Sequence, residues 1–122
     1  METTLTMTTT EVANKLVSLC RAGKNMDAVH ELYADSVLSL EPKGSRMQRA
    51  EGKDAIIAKE LAFFEMVEEV HSSEVSEPIV AANFFSVTMK MEMTLKGMGR
   101  TSMDEVCVYE VKDGKIVFEQ FF

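Results

Sequence analysis

The chain has 122 residues, 46% of them apolar, and a formal net charge of −7, which suits one domain with a real hydrophobic core. Twenty acidic side chains against thirteen basic ones make nucleic acid a poor partner. No apolar run reaches the roughly 18 residues of a membrane span, and the start Met1-Glu2-Thr3-Thr4-Leu5 lacks the basic and apolar regions of a secretory leader.

The Thr-rich residues 1–9 are expected to fray, leaving residues 10–122 as a single domain. Thr8 and Glu11 stand at capping-box spacing, which predicts a helix with Val12, Leu16, Leu19 and Cys20 on one face and Gly23 as its left-handed stop. A short second helix follows, with Asn25 as N-cap and Met26, Val29, Leu32 and Tyr33 on its apolar face. Asp35 and Ser36 open a strand over Val37–Glu41, which Pro42 ends because it has no N–H for a ladder. Lys43 to Glu51 reads as a basic loop carrying Arg46 and Arg49.

Gly52-Lys53-Asp54 starts a third helix, with Ile56, Ile57, Leu61, Phe64 and Val67 as its apolar positions. From Glu69 the period changes to two, so Val70 to Ile79 is predicted as a strand and Ala81-Ala82-Asn83 as a turn. Phe85, Val87, Met89, Met91, Met93 and Leu95 then alternate with polar residues, the clearest strand in the chain. Gly97-Met98-Gly99 turns it back into a strand over Thr101–Val111, and Lys112-Asp113-Gly114 forms a hairpin into a last strand over Ile116–Phe122. The order is that of an α+β fold ending in an antiparallel meander. On the strand from Thr101, Met103, Cys107, Tyr109 and Val111 share one parity, while Val106 and Val108 stand on the other. A wet face has little use for those valines, so a second copy is expected to cover it.

Several phrases resemble the nuclear transport factor 2-like superfamily, and within it the SnoaL-like and ketosteroid-isomerase-like proteins. They are Ala22-Gly23, Leu32-Tyr33-Ala34-Asp35, Glu51-Gly52-Lys53-Asp54-Ala55-Ile56, and the stretch from Val108 to Val117. The resemblance runs from about Thr10 to the end. It implies a curved antiparallel β-sheet wrapping three N-terminal-side helices to form a cone with an internal pocket, and a homodimer through the convex sheet face. It leaves activity open, because function belongs to the site and not to the fold. Glu41, just before Pro42, matches the general base of the ketosteroid isomerases. Their oxyanion-hole tyrosine and aspartic acid match Leu16 and Cys107, which cannot do that work, so steroid isomerisation is not expected.

The candidate catalytic residues are Glu41, Glu105, Glu119 and His71. Glu41 reads either as a base in an apolar cavity or as an exposed strand-end carboxylate. The two-residue period turns Glu105 inward with Cys107 and Tyr109, and the family match turns Val117, Glu119 and Phe121 inward too, unless a bulge reverses the register. Two inward glutamates would raise each other's pKa. His71 is either a proton shuttle beside the cavity or a packed surface residue, and His30 reads as solvated. Candidate ligand-binding residues are Leu16, Tyr33, Phe64, Met89, Met91, Met93, Met103, Cys107, Tyr109 and Phe121, with core packing as the alternative for each.

Two cysteines are too few for a disulfide scaffold and suit a reducing cytoplasm. Neither histidine has ligand spacing to Cys or carboxylates, so no metal is expected; no phosphate loop or dinucleotide fingerprint is present, so no cofactor is expected either. The expectation is a cytoplasmic protein that binds a small apolar molecule. It is either a cofactor-independent acid–base enzyme of isomerase, cyclase or dehydratase type, or a non-catalytic ligand-binding or dimeric scaffold module.

Overall fold

The computed structural model describes residues 6–45 and 48–122, so Arg46 of the predicted basic loop and the first five residues of the predicted frayed terminus lie outside the described residues. Helix α1 (Thr9–Arg21) starts at a capping box in which the Glu11 amide donates to Thr8 Oγ1 at 3.1 Å and the Thr8 amide donates to Glu11 Oε1 at 2.9 Å. Met7, ahead of the cap, packs against the core, so order begins before residue 10. Gly23, with φ +74°, turns the chain out of α1.

Helix α2 (Asn25–Leu32) has Lys24 at its cap position without a side-chain bond, so Asn25 is the first helical residue and not the cap. Tyr33 leaves that helix and begins strand β1 (Tyr33–Leu40). Strand β2 (Arg49–Glu51), antiparallel to the end of β1, lies in the segment predicted as a loop. Helix α3 (Lys53–Met66) buries only Ile56 completely, and Leu61, predicted on its apolar face, is 53% exposed.

The single strand predicted over Val70–Ile79 is two: β3 (Val67–Val75) and β4 (Ile79–Ala81), both paired with β5 (Phe84–Leu95) along the same edge. Pro78, which cannot donate to a ladder, stands at the break. Strands β6 (Gly99–Lys112) and β7 (Lys115–Phe121) complete the meander.

The sheet order is β2-β1-β7-β6-β5-β3, with β4 beside β5, and the sheet is open rather than closed into a barrel. It is mixed, because β1 runs parallel to β7 where an antiparallel sheet was expected. The helical and strand segments between them give the chain the long connection that parallel neighbours require. A bulge opposite Glu110 leaves Val117 as the extra residue of β7. The inward residues are therefore Ile116, Glu119 and Phe121, and the expected inward Val117 is corrected.

The helices close one face of the sheet. Val12, Leu16, Val29, Leu32 and Ile56 meet Phe85, Tyr109 and Ile116 in one core, with the Phe85 and Tyr109 rings stacked at 4.7 Å. On the outer parity of β6, Val106 is 45% exposed and Val108 is half-buried. No helix among the described residues is long and apolar enough to cross a membrane.

Candidate functional site

Between the helices and the inner face of the sheet lies a cavity of about 260 Å³. This is a little below the ~300–1,000 Å³ typical of sites for drug-sized ligands, so the space fits a smaller molecule. Strand parity decides which residues face it, but packing decides how deep each one sits. Along β5, Phe85 and Val87 at one end and Met93 and Leu95 at the other are buried in packed structure, while Met89 and Met91 between them reach the cavity wall. Met93 is thus a packed residue and not a wall residue, a correction to its predicted role. Cys107 is corrected for the same reason, since it pairs in register with buried Val87 and lies behind the wall.

The other predicted ligand-binding residues reach the wall. Leu16 comes from α1, Tyr33 from β1 and Phe64 from α3. Met103 and Tyr109 on β6, with Phe121 on β7, line the sheet side.

Of the four predicted catalytic residues, Glu41 and Glu105 face the cavity. Glu119 stands just behind its wall, 1% exposed, where Ser39 Oγ donates to its Oε2 at 2.6 Å and the Tyr33 phenol donates to its Oε1. His71 does not join them. It is the extra residue of a bulge in β3, and its Nε2 lies 2.7 Å from Thr94 Oγ1, away from the cavity.

Two charged residues from α3, Lys59 and Glu60, also line the cavity, beside Phe63. Lys59 Nζ donates to Glu41 Oε1 at 3.0 Å and to Ser39 Oγ at 3.2 Å, and lies 5.5 Å from the centre of the Phe121 ring. Sequence reasoning missed both because a charged helical residue is normally assigned to the solvent face. The available signal was positional: Ile56, Lys59, Glu60, Phe63 and Phe64 recur at helical spacing and share one face. Ser39 likewise shares the parity of buried Val37 and of Glu41.

Electrostatics separates the carboxylates. Burial pushes the Glu105 carboxyl up to about 7, with Glu41, Glu119 and Glu60 adding to the shift and Lys59 opposing it. Glu60 is also pushed up to about 7, first by burial and then by Glu119, with Lys59 again opposing. Glu119 is raised by burial, while the bonds from Ser39 and Tyr33 and the charge of Lys59 work the other way. The cavity-facing Cys20 thiol is raised to about 12 by burial, so it is no thiolate nucleophile near neutrality. Among the described residues no group of three His, Cys, Asp or Glu side chains could hold a metal ion.

An open sheet carrying three helices over a lined cavity is an α+β cone of the cystatin-like fold. A family model of the SnoaL-like domain matches residues 7–122, and the chain belongs to that family. A candidate SnoaL-like polyketide cyclase from Mesorhizobium loti is similar at 36% identity and a TM-score of 0.89, over 95% of this chain and 99% of that one. A protein of cystatin-like fold from Xanthomonas campestris shares the architecture at 15% identity and a TM-score of 0.80, over 95% of this chain and 90% of that one. A candidate isomerase from Bacillus subtilis does so at 20% identity and a TM-score of 0.70, over 94% and 88% of the two chains. No curated protein matches the sequence.

Proposed function

We propose that the protein is a cofactor-independent acid–base catalyst acting on a small, mostly apolar carbonyl compound. One observation carries the reading: a single cavity, walled by apolar and aromatic side chains, receives Glu41, Lys59, Glu60 and Glu105. A carboxyl with a pKa of about 7 is useful as both acid and base at neutral pH, so Glu105 is assigned the proton transfer, with Glu60 as its neighbour in reserve. Lys59 supplies a positive donor for the substrate oxygen, which acquires charge when an α-proton leaves. Glu41 holds Lys59 in an ion pair. The Mesorhizobium loti relative, described as a candidate polyketide cyclase, fits this chemistry, because polyketide chains are rich in carbonyls with acidic α-protons.

The test is α-proton exchange of cyclohexanone and 2-cyclohexenone in D2O, followed by NMR. The protein should accelerate exchange above buffer, and Glu105→Gln should lower the acceleration by roughly 10²-fold or more. Exchange at the buffer rate with both ketones, together with no shift of cavity resonances, would overturn the reading. A second reading, a non-catalytic binding module, is favoured by the commitment of Glu41 to Lys59 at 3.0 Å, which occupies one of the candidate bases. Shifted cavity resonances without exchange would select it.

We also propose that the outer sheet face around Val106 and Val108 meets a second copy of the chain in a homodimer. A monomer mass by light scattering at micromolar concentration removes that proposal.

A further inference from the structure

Ser39 and Glu119 are the buried polar or charged side chains among the described residues, and they touch each other. With Glu119 ionised, their hydrogen bonds run in one direction. A lysine ammonium donates and never accepts, so Ser39 must accept from Lys59 and has its single proton to give elsewhere. That proton goes to Glu119 Oε2, and the Tyr33 phenol donates to Oε1. Both carboxylate oxygens are thereby acceptors, with the order Lys59 to Ser39 to Glu119, met from the other side by Tyr33. Lys59 and Tyr33 line the cavity, whereas Ser39 and Glu119 do not.

Resting on the acid–base reading above, we infer that Glu119 is a positioning residue for Lys59. Through Ser39 it seats the ammonium at the cavity wall so that one N–H stays free for the oxygen of a carbonyl or enolate occupant. The ammonium has three N–H donors. Glu41 and Ser39 take two, and the centre of the Phe121 ring is 5.5 Å from Nζ. The remaining N–H has no protein acceptor among the described residues, and Lys59 lines the cavity. Charge supports the arrangement: Glu119 on β7 and Glu41 beyond β1 flank one cation from α3. Glu60 from α3, Glu105, Cys107 and Tyr109 from β6, and Cys20 from α1 are further titratable groups nearby, and Lys90 from β5 is a second cation on the cavity wall. The inference also supplies the electrophilic donor that Leu16 and Cys107 cannot provide, from a different element of the fold.

The experiment follows the ¹⁵N-labelled Lys59 ammonium by NMR, because a hydrogen-bonded, half-buried NH3⁺ exchanges slowly with water. The wild type and Ser39→Thr, which keeps the hydroxyl, should show the protected signal. Ser39→Ala should speed exchange by roughly tenfold, the scale of one hydrogen bond to a charged group. Glu119→Gln should also speed exchange, and its effect should largely vanish in the Ser39→Ala background, since the coupling runs through Ser39. Retained amide spectra would show that each variant is folded. If Glu119→Gln fails to fold, the contrast between Ser39→Ala and Ser39→Thr decides the matter. Equal protection in the wild type and Ser39→Ala, or an undiminished Glu119→Gln effect without Ser39, would overturn the inference. A failed ketone exchange with the expected ammonium pattern would remove the catalytic reading and leave the positioning intact.

Discussion

Glu105 and Glu119 stand on adjacent strands, both on the inward parity, yet they live in opposite surroundings. Glu119 is wrapped by two hydroxyl donors and shut off from solvent, whereas among the described residues Glu105 has only the Cys107 thiol, with Sγ at 3.9 Å, and otherwise meets the cavity. Burial raises both carboxyls, but only Glu119 has hydrogen bonds that oppose the rise. Strand parity therefore supplies orientation alone. The neighbouring side chains decide whether an inward carboxylate braces the wall or carries a proton. A carboxylate with committed partners resists change of state, and one without them titrates where chemistry needs it.

The sharpest way to break this comparison is to truncate both residues. Glu119→Ala leaves the Tyr33 and Ser39 hydroxyls without an acceptor in a buried space, so it should cost about 4 kcal/mol in urea unfolding. Glu105→Ala removes no strong bond and enlarges an existing cavity, so it should cost less than about 1 kcal/mol. Equal losses would mean that the two carboxylates do the same structural work.

The same contrast between packed and cavity-facing positions applies to the methionines of β5. Met93 is fully buried and Met91 lies on the cavity wall, two residues apart on one parity. Met93→Ala opens a new void and should cost about 3 kcal/mol, while Met91→Ala should cost about 1 kcal/mol because its space is already partly empty. Both are measured in the same unfolding series. A reversed ranking would place the cavity elsewhere along the strand.

Glu105→Gln sharpens the comparison through pH. The folded pKa of about 7 lies above the unfolded value of 4.5, so the wild type has this group's full stability below pH 4.5 and loses it as pH rises through 7. Glutamine mimics the protonated form at every pH. The variant should therefore match the wild type at pH 4 and exceed it at pH 8. With the partial exposure of Glu105 discounting the gain to about 1 kcal/mol, the rise in Tm is roughly 4 °C by calorimetry. A gain of the same size at pH 4 would point to packing and not to charge.

Much of this site was legible in the sequence wherever a strict two-residue period ran. Alternation on β5 and β6 oriented Met89, Met91, Met103, Glu105 and Tyr109 toward the cavity. The depth of each residue was not legible, because Met93 and Met91 have the same chemistry and parity, yet one is fully buried and the other lines the cavity. The parallel pairing of β1 with β7 was also hidden, since it joins segments from opposite ends of the chain and leaves no local pattern. Val117 was misplaced by a bulge, which a period-two reading cannot see. Lys59 and Glu60 were overlooked because polarity was taken as exposure, although their helical spacing from Ile56 and Phe63 marked the inner face.

His71 gives the smallest expected effect and the strictest control on the comparison. Its ring is held by Thr94 Oγ1 at 2.7 Å, with Glu69 Oε2 3.7 Å from Nδ1, and neither partner faces the cavity. The bulge that contains it interrupts the pairing of β3 with β5 between Val70 and Ser72, so the inward positions resume at Ser73 and Val75. His71→Gln keeps a polar group for Thr94 and changes nothing that lines the site. Stability should change by less than about 0.5 kcal/mol, because the exposed bulge position keeps a hydrogen-bonding partner for Thr94. Ketone α-proton exchange should also stay at the wild-type rate, because Glu105, Glu60 and Lys59, which line the cavity, are untouched. Loss of exchange in His71→Gln would bring the imidazole into the chemistry and dissolve the contrast between Glu105 and Glu119 as its explanation.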